Sequence, residues 1–194
     1  MNKPVRSSIV VTLVASTSLL AFPAAANTVV YQAFLDGLSE NPSNASPGSG
    51  FTTVTFDYSA NTMEVAVNFS GLLAAATAAH IHCCAAAPTN MSVAVPLTGF
   101  PFTTSGTYNQ TFDMTLAGTY NPAFITASGG SVPGAIGALG TGLDTGQAYL
   151  NIHSNLYPGG EIRGYLQAVP LPGAVWLLPS AVAALRWVRR KAAA

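Results

Sequence analysis

Apolar residues recur at every second position through much of the middle of the chain. Residues 52–58 set Val54, Phe56 and Tyr58 on one side and Thr53, Thr55 and Asp57 on the other. After Ser59-Ala60-Asn61-Thr62, a turn, Met63, Val65, Val67 and Phe69 alternate with Glu64, Ala66 and Asn68. A period of two marks a strand with one buried face, and two such runs across a short polar turn predict a hairpin. Residues 29–35, 79–83, 92–97, 106–116, 146–153 and 161–167 read as further strands. Residues 41–50 are rich in Pro, Ser, Asn and Gly and form a loop, while the Gly- and Ala-rich stretch 121–142 leaves room for a short helix. Seven or eight short strands with frequent turns predict a single all-β domain, an antiparallel β-sandwich or Greek-key barrel.

The two ends follow a different pattern. Lys3 and Arg6 precede an uncharged apolar run at residues 8–22, and Pro23-Ala24-Ala25-Ala26 follows. Small residues at Ala24 and Ala26 occupy the positions that a signal peptidase reads, so residues 1–26 are expected to be a secretory signal helix cleaved after Ala26. An uncleaved N-terminal membrane helix is the alternative. At the other end, residues 169–185 carry no charge and Arg186, Arg189, Arg190 and Lys191 follow. A helix of that length spans roughly 25 Å, marginal for a bilayer, and the basic cluster would stay cytoplasmic. The expected plan is therefore a signal peptide at 1–26, a β domain at 27–168 and a hydrophobic helix with a basic end at 169–194.

Val169-Pro170-Leu171-Pro172, an aromatic-containing apolar helix and an Arg-rich end resemble the PEP-CTERM class of sorting signals, with Gly173 where that variant usually has Ala. The resemblance implies recognition by an exosortase-like membrane enzyme. It also implies an inner-membrane-anchored precursor that passes to the surface or the extracellular space of a bacterium making exopolysaccharide. A plain C-terminal membrane anchor is the alternative.

Charge narrows the choice of partners. The chain is neutral overall, but all seven acids lie between residues 36 and 161, while six of the seven bases lie at the two ends and only Arg163 is internal. An acidic domain of this kind is repelled by phosphate backbones, which excludes nucleic acid as a partner. With 7% charged residues against about a quarter in ordinary domains, the composition fits membrane-directed ends.

The chain has three histidines: His80 and His82 in Ala79-His80-Ile81-His82, and His153 in Asn151-Ile152-His153-Ser154. Residues two apart on a strand share a face, so His80 and His82 point the same way and a third imidazole can come from a neighbouring strand. If the strand continues, Cys84 joins that face. Imidazoles with a thiolate favour copper or zinc. The competing outcomes are a Cys83–Cys84 disulfide, which requires a turn at that point, and histidines that serve only as buried hydrogen-bonding residues. Further on, Tyr157-Pro158-Gly159-Gly160 makes a turn, after which Glu161 and Arg163 are expected on one face of an edge strand as an ion pair. Arg163 could equally neutralise another buried acid. No nucleophile elbow, phosphate-binding glycine loop, zinc-protease motif or EF-hand is present.

Ala-His-Ile-His, then Tyr149-Leu150-Asn151-Ile152-His153, then Pro-Gly-Gly-Glu-Ile-Arg-Gly, resemble the CHRD domain over residues 29–167. That family is named from chordin and is common in bacterial secreted proteins. Where it has Gly-Pro after the second histidine, this chain has Cys83-Cys84. The resemblance implies an extracellular β module without an established catalytic activity. The sequence thus predicts an exported, non-enzymatic surface or matrix protein whose partner is an exopolysaccharide or a surface protein. The alternative is a copper- or zinc-binding protein using His80, His82, His153 and Cys84.

Overall fold

The computed structural model describes residues 27–169. The signal segment with Ala24 and Ala26, and the tail from Pro170 through Leu171 and Pro172 onward, lie outside the described residues. Val169 is the last described residue, and its backbone N–H donates to Val30 O at 2.8 Å. Among the described residues no helix is long and apolar enough to cross a membrane.

Among the described residues nine strands form: β1 (Thr28–Asp36), β2 (Ser49–Asp57), β3 (Thr62–Ser70), β4 (Ala76–Cys83), β5 (Val93–Pro96), β6 (Gly106–Asp113), β7 (Ala148–Ser154), β8 (Ile162–Tyr165) and β9 (Gln167–Ala168). Two helices, α1 (Pro122–Ala127) and α2 (Val132–Asp144), fill the Gly- and Ala-rich stretch. Ser131 caps α2 by accepting a hydrogen bond from Gly134 N, and Pro133 sits in its first turn, where a missing N–H costs nothing.

The fold is all-β, as the alternation predicts, but the strands do not divide into a sandwich. They form one antiparallel sheet in the order β5-β4-β7-β8-β1-β2-β3-β6, curled into a half-barrel. The join is at β1. It pairs along its whole length with β2, and on its other side with β8 at Asp36↔Arg163 and with β9 at Tyr31↔Ala168 and Gln32↔Gln167. Period-two alternation fixes which face of each strand is buried and is silent on which strand lies beside which, so one curled sheet and two stacked sheets look alike from the pattern alone.

The curled sheet closes around a single core. Tyr31, Val54, Phe56, Met63, Val65, Ile81, Leu150, Ile152 and Ile162 contribute from the strands, and Ala135, Leu139 and Leu143 from α2. Burial of each large apolar side chain stabilises the fold by about 1.5–3 kcal/mol. The hydroxyl of Tyr31 donates to Asp144 at the end of α2 and lies 3.0 Å from the Tyr58 hydroxyl, tying the helix to the sheet.

The opposite face of β4, β7 and β8 is polar. Register places His80 opposite Asn151 and Asn151 opposite Arg163, with His82, Tyr149 and Tyr165 forming the next row. Residues 37–48 and 84–92 cover this face. Asn41 Nδ2 donates to Pro88 O, and Asn90 Nδ2 donates to Asn41 O.

Arg163 and Glu161 part company here. β8 is an interior strand beginning at Ile162, so Glu161 lies before it and turns away, accepting from Ser46 Oγ and Leu73 N at 2.6 Å each. Arg163 pairs with Glu40 instead, at 3.4 Å.

Gly164 marks the closest approach of β8 to β1: a Cβ there would run into Phe34 O, a backbone atom with no room to retreat. Gly159, by contrast, has nothing within 4 Å of such a Cβ. Gly164→Ala is expected to cost about 1–3 kcal/mol in urea denaturation, and Gly159→Ala less than about 0.5 kcal/mol. Equal stabilities for the two variants would show that the β1–β8 seam is not the tight contact described.

Candidate metal centre

The three histidines converge. Period-two geometry brings His80 and His82 out on one face of β4, and β7 presents Tyr149, Asn151 and His153 on the same face. The β4–β7 register sets His153 beside Ala78, two residue pairs from the His80–Asn151 pair and on the same face, so strand pairing carries His153 to His80. One ring nitrogen from each of His80, His82 and His153 lies within 4.8 Å of the others. The closest approach is between His80 Nδ1 and His153 Nε2, at 3.1 Å. Two nitrogens bound tetrahedrally to one ion at about 2.0–2.1 Å would lie roughly 3.3 Å apart.

Backbone carbonyls decide which ring nitrogen is available. His82 Nδ1 donates to Met91 O at 2.6 Å, and His153 Nδ1 donates to Pro158 O at 2.9 Å. A carbonyl only accepts, so in the neutral rings both Nε2 atoms keep a free lone pair. Anchoring the second ring N–H to a carbonyl is how metal-ligating histidines are held in tautomer and orientation. His82 Nε2 is buried and has no partner among the described residues. The His82 ring also lies flat on Tyr149, with centroids 4.8 Å apart and planes 1° from parallel.

The imidazoles are held neutral. Burial, with the neighbouring His153 and His82, lowers the pKa of His80 to about 4. Burial lowers those of His82 and His153 as well, against the opposing hydrogen bonds to Met91 O and Pro158 O. Neutral imidazole is the ligating form; with His153 Nε2 an acceptor, His80 Nδ1 donates the 3.1 Å hydrogen bond between them and would pass its proton to its own Nε2 in order to ligate. His80 and His153 are only half-buried, and a cavity of about 180 Å³ bounded by Thr77, Leu97, Phe102 and His80 opens beside His80.

Cys84 does not join this face. The strand β4 ends at Cys83, the chain turns, and Cys83 and Cys84 are bonded to each other. Their sulfurs pack on α2, near Ala138 O and beside Gly142, where a Cβ would run into Cys83 Sγ. The grouping is therefore three imidazoles without a thiolate. Sequence reasoning also passed over Asn151, Met91, Pro158 and Glu40, which surround the histidines. Only Asn151 carried a signal, its position two residues before His153 in an alternating strand.

A model of the CHRD domain family matches residues 31–166. No curated protein and no solved structure matches the chain.

The low pKa of His80 sets a pH dependence. Its neutral form is favoured on folding, so its contribution to stability is complete above its ordinary value of 6.5 and is lost as pH falls toward about 4. Glu40, raised to about 7 chiefly by burial, works in the opposite sense, its contribution being lost as pH rises from 4.5 through 7. A comparison of metal-free wild type with His80→Gln cancels the Glu40 effect. On acidification from about pH 7.5 to about pH 4.5, the wild type is expected to lose more in melting temperature than the variant. Parallel losses would mean that His80 titrates as it does in the unfolded chain.

Proposed function

Because the chain belongs to the CHRD domain family, whose members are typically extracellular, we propose that it is an exported, non-enzymatic β module that binds one copper or zinc ion through His80, His82 and His153. The observation that carries this reading is the convergence of the three ring nitrogens, with two of the rings anchored by backbone carbonyls and His82 Nε2 buried without a partner. Imidazole suits both ions, and the disulfide removes the thiolate that would have favoured cuprous copper. The acidic domain, with seven carboxylates and one internal arginine, attracts cations toward the site.

Export and sorting complete the proposal. The N-terminal segment directs secretion, and the Val169-Pro170-Leu171-Pro172 tail is handled by an exosortase-like enzyme before the domain is displayed at the surface or in an exopolysaccharide layer. Intact mass of the surface-released protein is expected to give an N-terminus at Asn27 and a chain lacking the basic end. A full-length tail on the released protein would rule out processing.

Metal content of the exported chain tests the central claim. Elemental mass spectrometry after exposure to copper and zinc is expected to find about one ion per chain in the wild type and none in a folded His80→Ala/His82→Ala variant. Wild-type protein that stays metal-free, or a double variant that binds as much, would leave the histidines as hydrogen-bonding strand residues.

A further inference from the structure

Asn151 holds a polar oxygen for which the three histidines do not account. The residue is 2% exposed and lies opposite His80 in the β4–β7 register, two positions before His153, so its side chain leaves the sheet on the histidine face. There its amide lies between Glu40 and His82.

The amide can face only one way. A Cβ built on Gly160 would come within 2.5 Å of Glu40 Oε1 and 2.8 Å of Asn151 Nδ2, so these two atoms line the same small space. Chemistry demands the same orientation, because a carboxylate accepts and the group facing it must donate. The amide oxygen is thereby turned to the His82 side, where it meets no donor. His82 has given its Nδ1 proton to Met91 O, and its Nε2 is a bare acceptor. His82 Nε2 and Asn151 Oδ1 are both buried and both without a partner among the described residues. Buried acceptors left in this state are destabilising. A cation bound to both relieves that cost, and so does a water molecule donating to both.

We propose that Asn151 Oδ1 is the fourth ligand of the metal ion, completing a set of three imidazole nitrogens and one amide oxygen. This rests on the metal-binding reading above and goes beyond it by assigning the ligand and the class of ion. A neutral nitrogen set with one hard oxygen suits Zn²⁺ or Cu²⁺ over cuprous copper. Glu40 Oε1 faces the nitrogen end of the amide across the space at Gly160 and favours the orientation that leaves the oxygen for the ion. Arg163 holds Glu40 in place from behind.

The test is competition of the full chain against a chromophoric chelator for Zn²⁺, run on wild type, Asn151→Ala, Asn151→Asp and His153→Ala. Asn151→Ala is expected to weaken binding at least about tenfold. Asn151→Asp keeps an oxygen at the ion while losing the amide donor to Glu40, so it should bind at least as tightly as wild type. A residue that only positioned the histidines through Glu40 would not be rescued by aspartate. If Asn151→Ala does not fold, the Cu²⁺ electron paramagnetic resonance spectrum of Asn151→Asp must still differ from that of wild type. Wild-type affinity in both Asn151 variants, with binding lost in His153→Ala, would overturn the fourth ligand alone and leave a water on Asn151. Absence of zinc binding in the wild type itself would overturn the metal reading beneath it.

Discussion

A guanidinium buried to 1% exposure must find its partners within the protein, and Arg163 finds them in two loops at once. Its Nε donates to Ser39 O at 2.5 Å and lies 3.4 Å from the Glu40 carboxylate, both in the segment 37–48. Its Nη1 donates to Asn90 Oδ1 at 2.8 Å, in the segment 84–92. Beneath it the Tyr149 ring sits 4.9 Å away as a cation–π platform. Removing one partner of such a buried pair costs about 3–5 kcal/mol because the other charge is left uncompensated. The domain has no second internal base to take its place.

The histidine cluster depends on this arrangement. Met91 O reaches His82 only because the loop that bears it is held down near Asn90, and Tyr149, under the guanidinium, stacks on His82 and takes a hydrogen bond from Met91 N through its hydroxyl. Glu40, brought in by Arg163, faces the amide of Asn151. The Pro-Gly-Gly turn has a matching role on the other flank: Pro158 O anchors His153, and Gly160, lacking a side chain, leaves the space that Glu40 and Asn151 occupy. The short motifs are thus parts of one polar face, with the apolar core on the reverse of the same three strands.

That division of faces explains how an acidic domain with few charges can build a site. Ile81, Leu150, Ile152 and Ile162 go to the core, and the residues alternating with them meet loops. Burial under those loops keeps the imidazoles neutral, which a solvent-exposed His-x-His would not ensure. The disulfide lies on the core side, turning the chain after β4 and resting on α2, so that neither sulfur reaches the histidines.

By itself the sequence determined the strands and their faces. Alternation at 52–58 and 63–69 is dictated by a backbone whose side chains point to opposite sides in turn, and it put His80 with His82, and Asn151 with His153, on common faces before any neighbour was known. Only the tertiary structure decided who those neighbours are. Strand order and register arise from the packing of distant segments, so it took the pairing of β4 with β7 to bring His153 to His80, and the pairing of β1 with β8 to join one curled sheet where a sandwich or a Greek-key barrel was expected. The partner of Arg163 was hidden for the same reason. Glu161 is its neighbour in the chain, but Glu40, more than a hundred residues away, is its neighbour in space. Buried charges pair with whatever the fold delivers, and local periodicity carries no record of that delivery.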